Sequence, residues 1–186
     1  MLLSGSPLPL LYVSDSQVNA IIPYNVRPNT SYQLVVSRGS AYSVPVDVAV
    51  FDSEPAIVSV DGSGSGQGQI YWVDASGNSG LADATARASA GEALVILAVG
   101  LGAVSPSLTA GTGAPSSPPS NTAVPVTVTI GGVPAPVLFA GLTPGFVGLY
   151  QVNATMPGGV MPGLQVPVTV SVAGRSNSGN IYMAVQ

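Results

Sequence analysis

Two segments of this chain, VPVTVTI (124–130) and VPVTVSV (166–172), alternate large apolar residues with small or polar ones. A period of two sends every second side chain to the same face, which is the pattern of a strand with one face on a core. Short runs rich in Val, Ile, Tyr and Thr recur along the whole length, at 8–13, 17–22, 32–37, 44–51, 56–60, 69–73, 93–99, 136–140, 147–156 and 180–185 as well. Each is closed by Gly, Pro, Ser or Asn, the residues that turns use, so about a dozen strands and little helix are expected. Only LADATARASA (81–90) reads as a short helix, and an irregular linker between domains is the favoured reading of it.

Composition bounds what such strands can build. The 186 residues suffice for one large or two small domains, each with its own core. Hydrophobic residues make up 46% and charged ones 6%, so solubility rests on Ser, Thr, Asn, Gln and exposed backbone. There is no Lys and no His, and four Arg oppose eight carboxylates for a net charge of −4. Without a basic stripe to neutralise phosphates, nucleic acid is not an expected partner. The lack of Cys removes disulfides, thiolate metal sites and a Cys nucleophile, but assigns no compartment. The longest apolar run, ALVILAVGLGAV (93–104), is broken by glycines and shorter than the ~18 residues a bilayer span needs, so it reads as a buried strand and no membrane span is expected. The start, MLLSGSPLPLLY, has no positive n-region and meets prolines too early for a secretory signal, so any export signal is expected to lie outside these residues.

A seven-residue phrase occurs twice, QVNAIIP at 17–23 and QVNATMP at 151–157. Upstream, SGSPLPLLYV (4–13) lies over GGVPAPVLFA (131–140) with Pro7 on Pro134 and Tyr12 on Phe139, an offset of 127, whereas Gln17 lies over Gln151, an offset of 134. The second copy therefore carries seven extra residues within GLTPGFVGLY (141–150). Downstream, each copy continues as a strand, a turn around an Arg and a final strand. Matching strands at two places predict two related sandwich units. Carried back by 127, Met1 falls on Val128 in mid-strand, so the first unit is expected to be N-terminally truncated. The expected organisation is a partial sandwich unit over 1–60, a hairpin and linker over 61–90 with the hairpin at 61–77, and a complete sandwich unit over 91–186.

The strings GLGAVSPSLTAG, VTVTIGGVPAPVLFAGLTPGFVGLYQVNATMPGGV and VPVTVSVAGRSN resemble the Solibacter-type C-terminal domain, an Ig-like module at the ends of long exported bacterial proteins. QVNAIIP resembles a preceding, partial module of the same type. The resemblance implies an all-β immunoglobulin-like sandwich at the cell surface or outside the cell, and it brings no catalytic residue, cofactor or established activity.

Several motifs invite a chemical reading. In AIVSVDGSGSG the residues Asp61, Ser63 and Ser65 are spaced like a metal-ion-dependent adhesion site, but that site needs a following helix and distant ligands, and here another strand, QIYWV, follows. A Gly/Ser-rich hairpin turn is the better reading. Asp52, Glu54, Asp61, Asp74 and Asp83 are spread too widely for a calcium loop and read as solvated turn residues. No carboxylate follows Glu92 and no Ser sits in a G-x-S-x-G elbow with a base at hand, so no enzyme and no cofactor are expected. The bacterial origin that the resemblance implies makes the sequons at Asn29 and Asn153 chance matches.

Two sets of residues remain as candidate contacts. Tyr71 and Trp72 are adjacent in a strand and point to opposite faces; one of them exposed would stack on a sugar, while the favoured role is to cover a domain junction or core edge. Leu8, Leu10 and Tyr12 mark an edge that a truncated unit would leave for assembly. The expected function is that of a non-catalytic structural or adhesive module whose partners are other copies of itself or neighbouring domains of a longer surface protein. A carbohydrate-binding accessory module of a secreted enzyme, with polysaccharide as its ligand, is the alternative.

Overall fold

Alternation becomes strand wherever one face meets a core. In a computed structural model that describes all 186 residues, Ala93–Val99 buries Leu94, Ile96 and Ala98, and Tyr150–Thr155 buries Tyr150, Val152 and Ala154. The chain is all-β, with strands paired almost entirely antiparallel and no helix. No helix of the chain is long and apolar enough to cross a membrane.

Residues 57–185 hold the core. One sheet runs in the order Ser79–Leu81, Ile70–Val73, Ala93–Val99, Tyr150–Thr155, Val137–Leu142, Asn121–Thr122 and Val104–Ser105, with Ala56–Ile57 also on Ala93–Val99. A second runs Gly66–Gln67, Ile181–Val185, Gly163–Val172, Val126–Ile130 and Val133–Ala135. The inward residues of both form one cluster of 26 buried side chains that includes Ile70, Ile96, Ile130, Val152, Val170 and Met183. This is the sandwich-like arrangement in which two inner faces interdigitate.

The segment 61–90 is woven into these sheets. Its strands Gly66–Gln67 and Ile70–Val73 pair with Ile181–Val185 and Ala93–Val99, so it completes the larger sandwich instead of standing between two. It also forms two turns, not one hairpin: Ser59 bridges Gly68 around the Asp61 loop, and Tyr71, Trp72 and Val73 pair with Leu81, Gly80 and Ser79 around Asp74. LADATARASA is irregular. Ala82 accepts from Ala184 N–H at 2.8 Å, and Ala88 donates to the Ala184 carbonyl at 3.0 Å, which ties the segment across from one sheet to the other. Burial of Ala82 and Ala88 reflects that crossing, since small side chains fit where backbones pass closely.

Residues 1–50 repeat, pair by pair, the register found between 128 and 185. Leu2 and Leu3 oppose Pro7 and Ser6, as Thr129 and Ile130 oppose Pro134 and Val133. Leu10, Tyr12 and Val13 oppose Ala20, Asn19 and Val18 with Leu11 bulged out; Val137, Phe139 and Ala140 oppose Ala154, Asn153 and Val152 with Leu138 bulged out. Leu2 and Leu3 also meet Val35 and Leu34, as Thr129 and Ile130 meet Thr169 and Val168. The turn hairpins match too, Ser37 and Arg38 on Tyr42 and Ala41, Ser171 and Val172 on Ser176 and Arg175. Because a one-residue slip would reverse every side chain, a shared bulge at the same step fixes the equivalence of the two copies.

Burial separates copies that pairing makes alike. Val152 is fully buried while Val18, its counterpart in phase, is only half-buried. The strand of Val152 is flanked on its second side by Ala93–Val99. That of Val18 has Leu10–Val13 alone.

Candidate functional site

The first copy is a half-sandwich with open edges. Val18–Ala20 pairs only with Leu10–Val13, and Val46–Val50 only with Thr30–Val35. In the second copy the equivalent strands are covered by Ala93–Val99 and by Gly66–Gln67. The apolar residues of the first copy consequently face water: Leu10, Leu11, Tyr12, Val13, Val44 and Val46 are all exposed, Tyr12 by 52%. Unpaired backbone beside apolar side chains is a ready template for another strand.

Of the residues expected at this edge, Leu10 and Tyr12 stand in solvent, but Leu8 does not. Its side chain is buried and its N–H donates to the Met1 carbonyl at 3.0 Å, because the tight turn at Ser4 and Gly5 folds Leu2–Leu3 back over Ser6–Pro7. Leu8 is therefore not part of the open edge.

Beside the edge lies an apolar cleft of about 890 Å³. The first copy contributes Leu11, Ala20 and Ile22, the connector contributes Phe51, and the larger sandwich contributes Val99 and Leu149. Asp52 and Glu54 are its carboxylates. On one wall the Tyr150 hydroxyl donates to the Gly102 carbonyl and shares a hydrogen bond of 3.3 Å with Tyr24. Burial, then the hydrogen bond to Tyr24, pushes the Tyr150 phenol far above its ordinary pKa, so it stays neutral and joins the two copies as a fixed polar contact.

The junction is held on three sides. Gly100 and Gly102 adopt positive φ, and a methyl at Gly100 would run into the Glu54 carbonyl oxygen while one at Gly102 would lie 2.6 Å from that of Asp52. This close approach lets Glu54 N–H donate to the Gly100 carbonyl at 2.8 Å and buried Ser53 reach the Val172 carbonyl at 3.3 Å. Arg175 pairs with Glu54 and lies 3.7 Å above the Phe51 ring. Pro9 and Ile21 lean on Gly111 and Gly148, so close that a Cβ there would come within 2.9 and 2.6 Å. The connector is thus a clamp between the first copy and the larger sandwich.

Tyr71 and Trp72 lie away from this edge, on Ile70–Val73. Trp72 is half-buried, packs on the core, covers Gly80 across the strand pair and donates its indole N–H to the Ala86 carbonyl at 3.0 Å. That geometry is a core edge sealed by an aromatic ring. Asp61 accepts from the amide and hydroxyl of Ser63, at 3.0 and 2.8 Å, which closes the Gly/Ser loop on itself. These hydrogen bonds lower its pKa, as those from Asn78 and Thr85 lower Asp74 and Asp83. No three His, Cys, Asp or Glu side chains gather where they would hold a metal ion.

No family model, no characterised protein and no solved structure matches this chain. Several residues that shape the site escape a reading of motifs: Val18 and Ala20 on the free edge, Ile21 and Tyr24 at the junction, and the Gly100–Gly102 pair. The signal for the last was present as GLG at the end of an apolar run, where only glycine tolerates a backbone crossing.

Proposed function

We propose that this chain is a non-catalytic structural or adhesive immunoglobulin-like module, exported to the bacterial cell exterior, that works by display and contact. Residues 57–186 form its complete unit and residues 1–56 the partial unit that makes contact. The observation that carries the reading is the half-sandwich docked through the connector, with its free strand and exposed apolar residues turned outward. A patch of that kind on a soluble chain marks an interaction surface. The resemblance to Solibacter-type C-terminal modules supports the compartment and a place beside other domains of a long surface protein.

The carbohydrate-binding alternative has less support, because the Trp72 ring is already spent on Gly80 and Ala86. Affinity electrophoresis in gels cast with a panel of polysaccharides tests both. The contact-module reading expects no retardation with wild type; retardation that vanishes in Trp72→Ala would replace it with the carbohydrate reading.

A further inference from the structure

What covers the open edge of the first copy is displayed on the second. Across Tyr150–Thr155, Ile96 opposes Val152, Val95 opposes Asn153 and Leu94 opposes Ala154. Those three acceptor positions correspond, through the shared register, to Val18, Asn19 and Ala20. The interface between Ala93–Val99 and Tyr150–Thr155 is therefore established once in the molecule, and the second place built for it stands empty of a strand. A strand seated there would drop its Leu94 and Ile96 equivalents against the half-buried faces of Val18 and Ala20, as the originals are buried between the sheets.

The chemistry of the donor follows from that template. It is extended, uncharged over seven residues, free of proline, and apolar throughout, like ALVILAV (93–99), whose alternate residues Leu94, Ile96 and Ala98 are the buried ones. Running antiparallel, its first residue lies beside Ile21, at the end where the cleft begins. Of the two acidic side chains of the cleft, Glu54 is already paired with Arg175, and Asp52, which accepts a hydrogen bond from Asn29 and has no cationic partner, is the one that complements a basic residue leading into the strand. A second copy of this chain is not the donor of such a segment: its own Ala93–Val99 is locked between Ile70–Val73 and Tyr150–Thr155, with Leu94, Ile96 and Ala98 in the core.

Resting on the contact-module reading, we propose that the free edge of Val18–Ala20 accepts, from polypeptide other than these 186 residues, an antiparallel strand of the Ala93–Val99 pattern, led by a basic residue, in the register of Ile96 on Val152. The chain has no Cys, so a single introduced thiol reports the register without interference. Directly opposed residues have Cβ atoms roughly 4.5–5.5 Å apart and a disulfide needs about 3.5–4.5 Å, so a small approach of the strands joins thiols that face each other. The probe is a synthetic peptide of two lysines followed by the sequence of residues 93–99, offered under mild oxidation to the full chain carrying Val18→Cys. Peptide with Ile96→Cys is expected to cross-link at least about tenfold faster than peptide with Val95→Cys, whose side chain points to the other face. Ala20→Cys with Leu94→Cys repeats the test should Val18→Cys disturb folding.

Equal rates for the two peptides, no cross-link at either position, or faster linkage with two leading glutamates than with two lysines would each overturn the proposal. So would a chain-to-chain disulfide through Val18→Cys that outcompetes the peptide, since the occupant would then be a second copy. Retardation by polysaccharide through Trp72 would instead defeat the contact-module reading and leave the cross-linking result standing, so the two failures are distinguishable.

Discussion

Gly100→Ala and Gly132→Ala are the same chemical change at two positions of nearly equal backbone conformation, φ +73° and +82°, with opposite surroundings. A methyl at Gly132 meets nothing within 4 Å. Its cost is the left-handed backbone alone, about 1–2 kcal/mol, partly offset by roughly 0.4–1 kcal/mol from a stiffer unfolded chain. At Gly100 the same methyl collides with the Glu54 carbonyl, so the connector must move away. That movement forfeits the hydrogen bond between Glu54 N–H and Gly100 and the one from buried Ser53 to Val172, at about 1 kcal/mol each. The expected loss is about 1 kcal/mol for Gly132→Ala and about 3 kcal/mol for Gly100→Ala. At roughly 2–4 °C of melting temperature per kcal/mol for a chain of this size, calorimetry should separate the variants by about 6 °C. Amide exchange should also quicken around 52–54 in Gly100→Ala and not in Gly132→Ala. Equal melting temperatures would refute the clamp, because they would mean that the connector has room to spare.

The repeat makes a second paired comparison: Val152→Ala, in a filled core, should cost about 2–3 kcal/mol, whereas Val18→Ala at the equivalent half-exposed position should cost less than about 1 kcal/mol, as read by urea denaturation. Equal costs would show that the first copy has a closed core. Trp72→Ala should lower stability by about 2–3 kcal/mol through lost packing and the indole hydrogen bond to Ala86, and an unchanged denaturation midpoint would free the ring for a ligand role. Asp74 and Asp83 have lowered pKa values, so their stabilising hydrogen bonds are fully present above the ordinary aspartate value of about 3.9 and are lost as pH falls through the lowered ones. Stability should therefore be flat near neutrality and fall in acid, and the drop in melting temperature between about pH 6 and pH 3 should be smaller in Asp74→Asn; an identical drop would sever that link.

Much of the fold is legible in the sequence because alternation, turn residues and repetition are local signals. VPVTVTI and VPVTVSV are adjacent strands, and the two QVNA phrases are equivalent ones. The segment 61–90 is less legible, since QIYWV has the composition of any exposed hairpin and nothing local tells that it pairs with ALVILAV. Pairing across the chain is decided by burial of Ile70 against Ile96, a property of the assembled core. The site shows the same division. Leu10 and Tyr12 can be read as an edge from their place in a truncated repeat, but Leu8 has the same apolar character and is buried by a turn whose geometry is set by Ser4 and Gly5. Ile22 and Met156 occupy one position of the repeated phrase, yet Met156 is buried and Ile22 lines the cleft, because only one copy has its covering strands.

The seven residues by which the copies differ are where the copies meet. In the first, the hairpin closes at once, with Ser14 N–H donating to the Gln17 carbonyl at 2.8 Å. In the second the extra residues form a longer loop that Thr143 N–H closes on Leu149 and that ties to Ala114 through Phe146 and Gly145. That loop brings Gly148 against Ile21, the residue at which QVNAIIP first departs from QVNATMP. Where the first copy has Ile21 the second has Thr155, whose strand partner is Ala93 and which needs no apolar contact. A chain of identical units would have neither the long loop to make the seat nor the isoleucine to fill it. The insertion and the substitution act together to set the order of the copies, so exchanging the short and long turns between them should undock the half-sandwich even though Val137, Phe139 and Ala140 keep their pairing with Ala154, Asn153 and Val152.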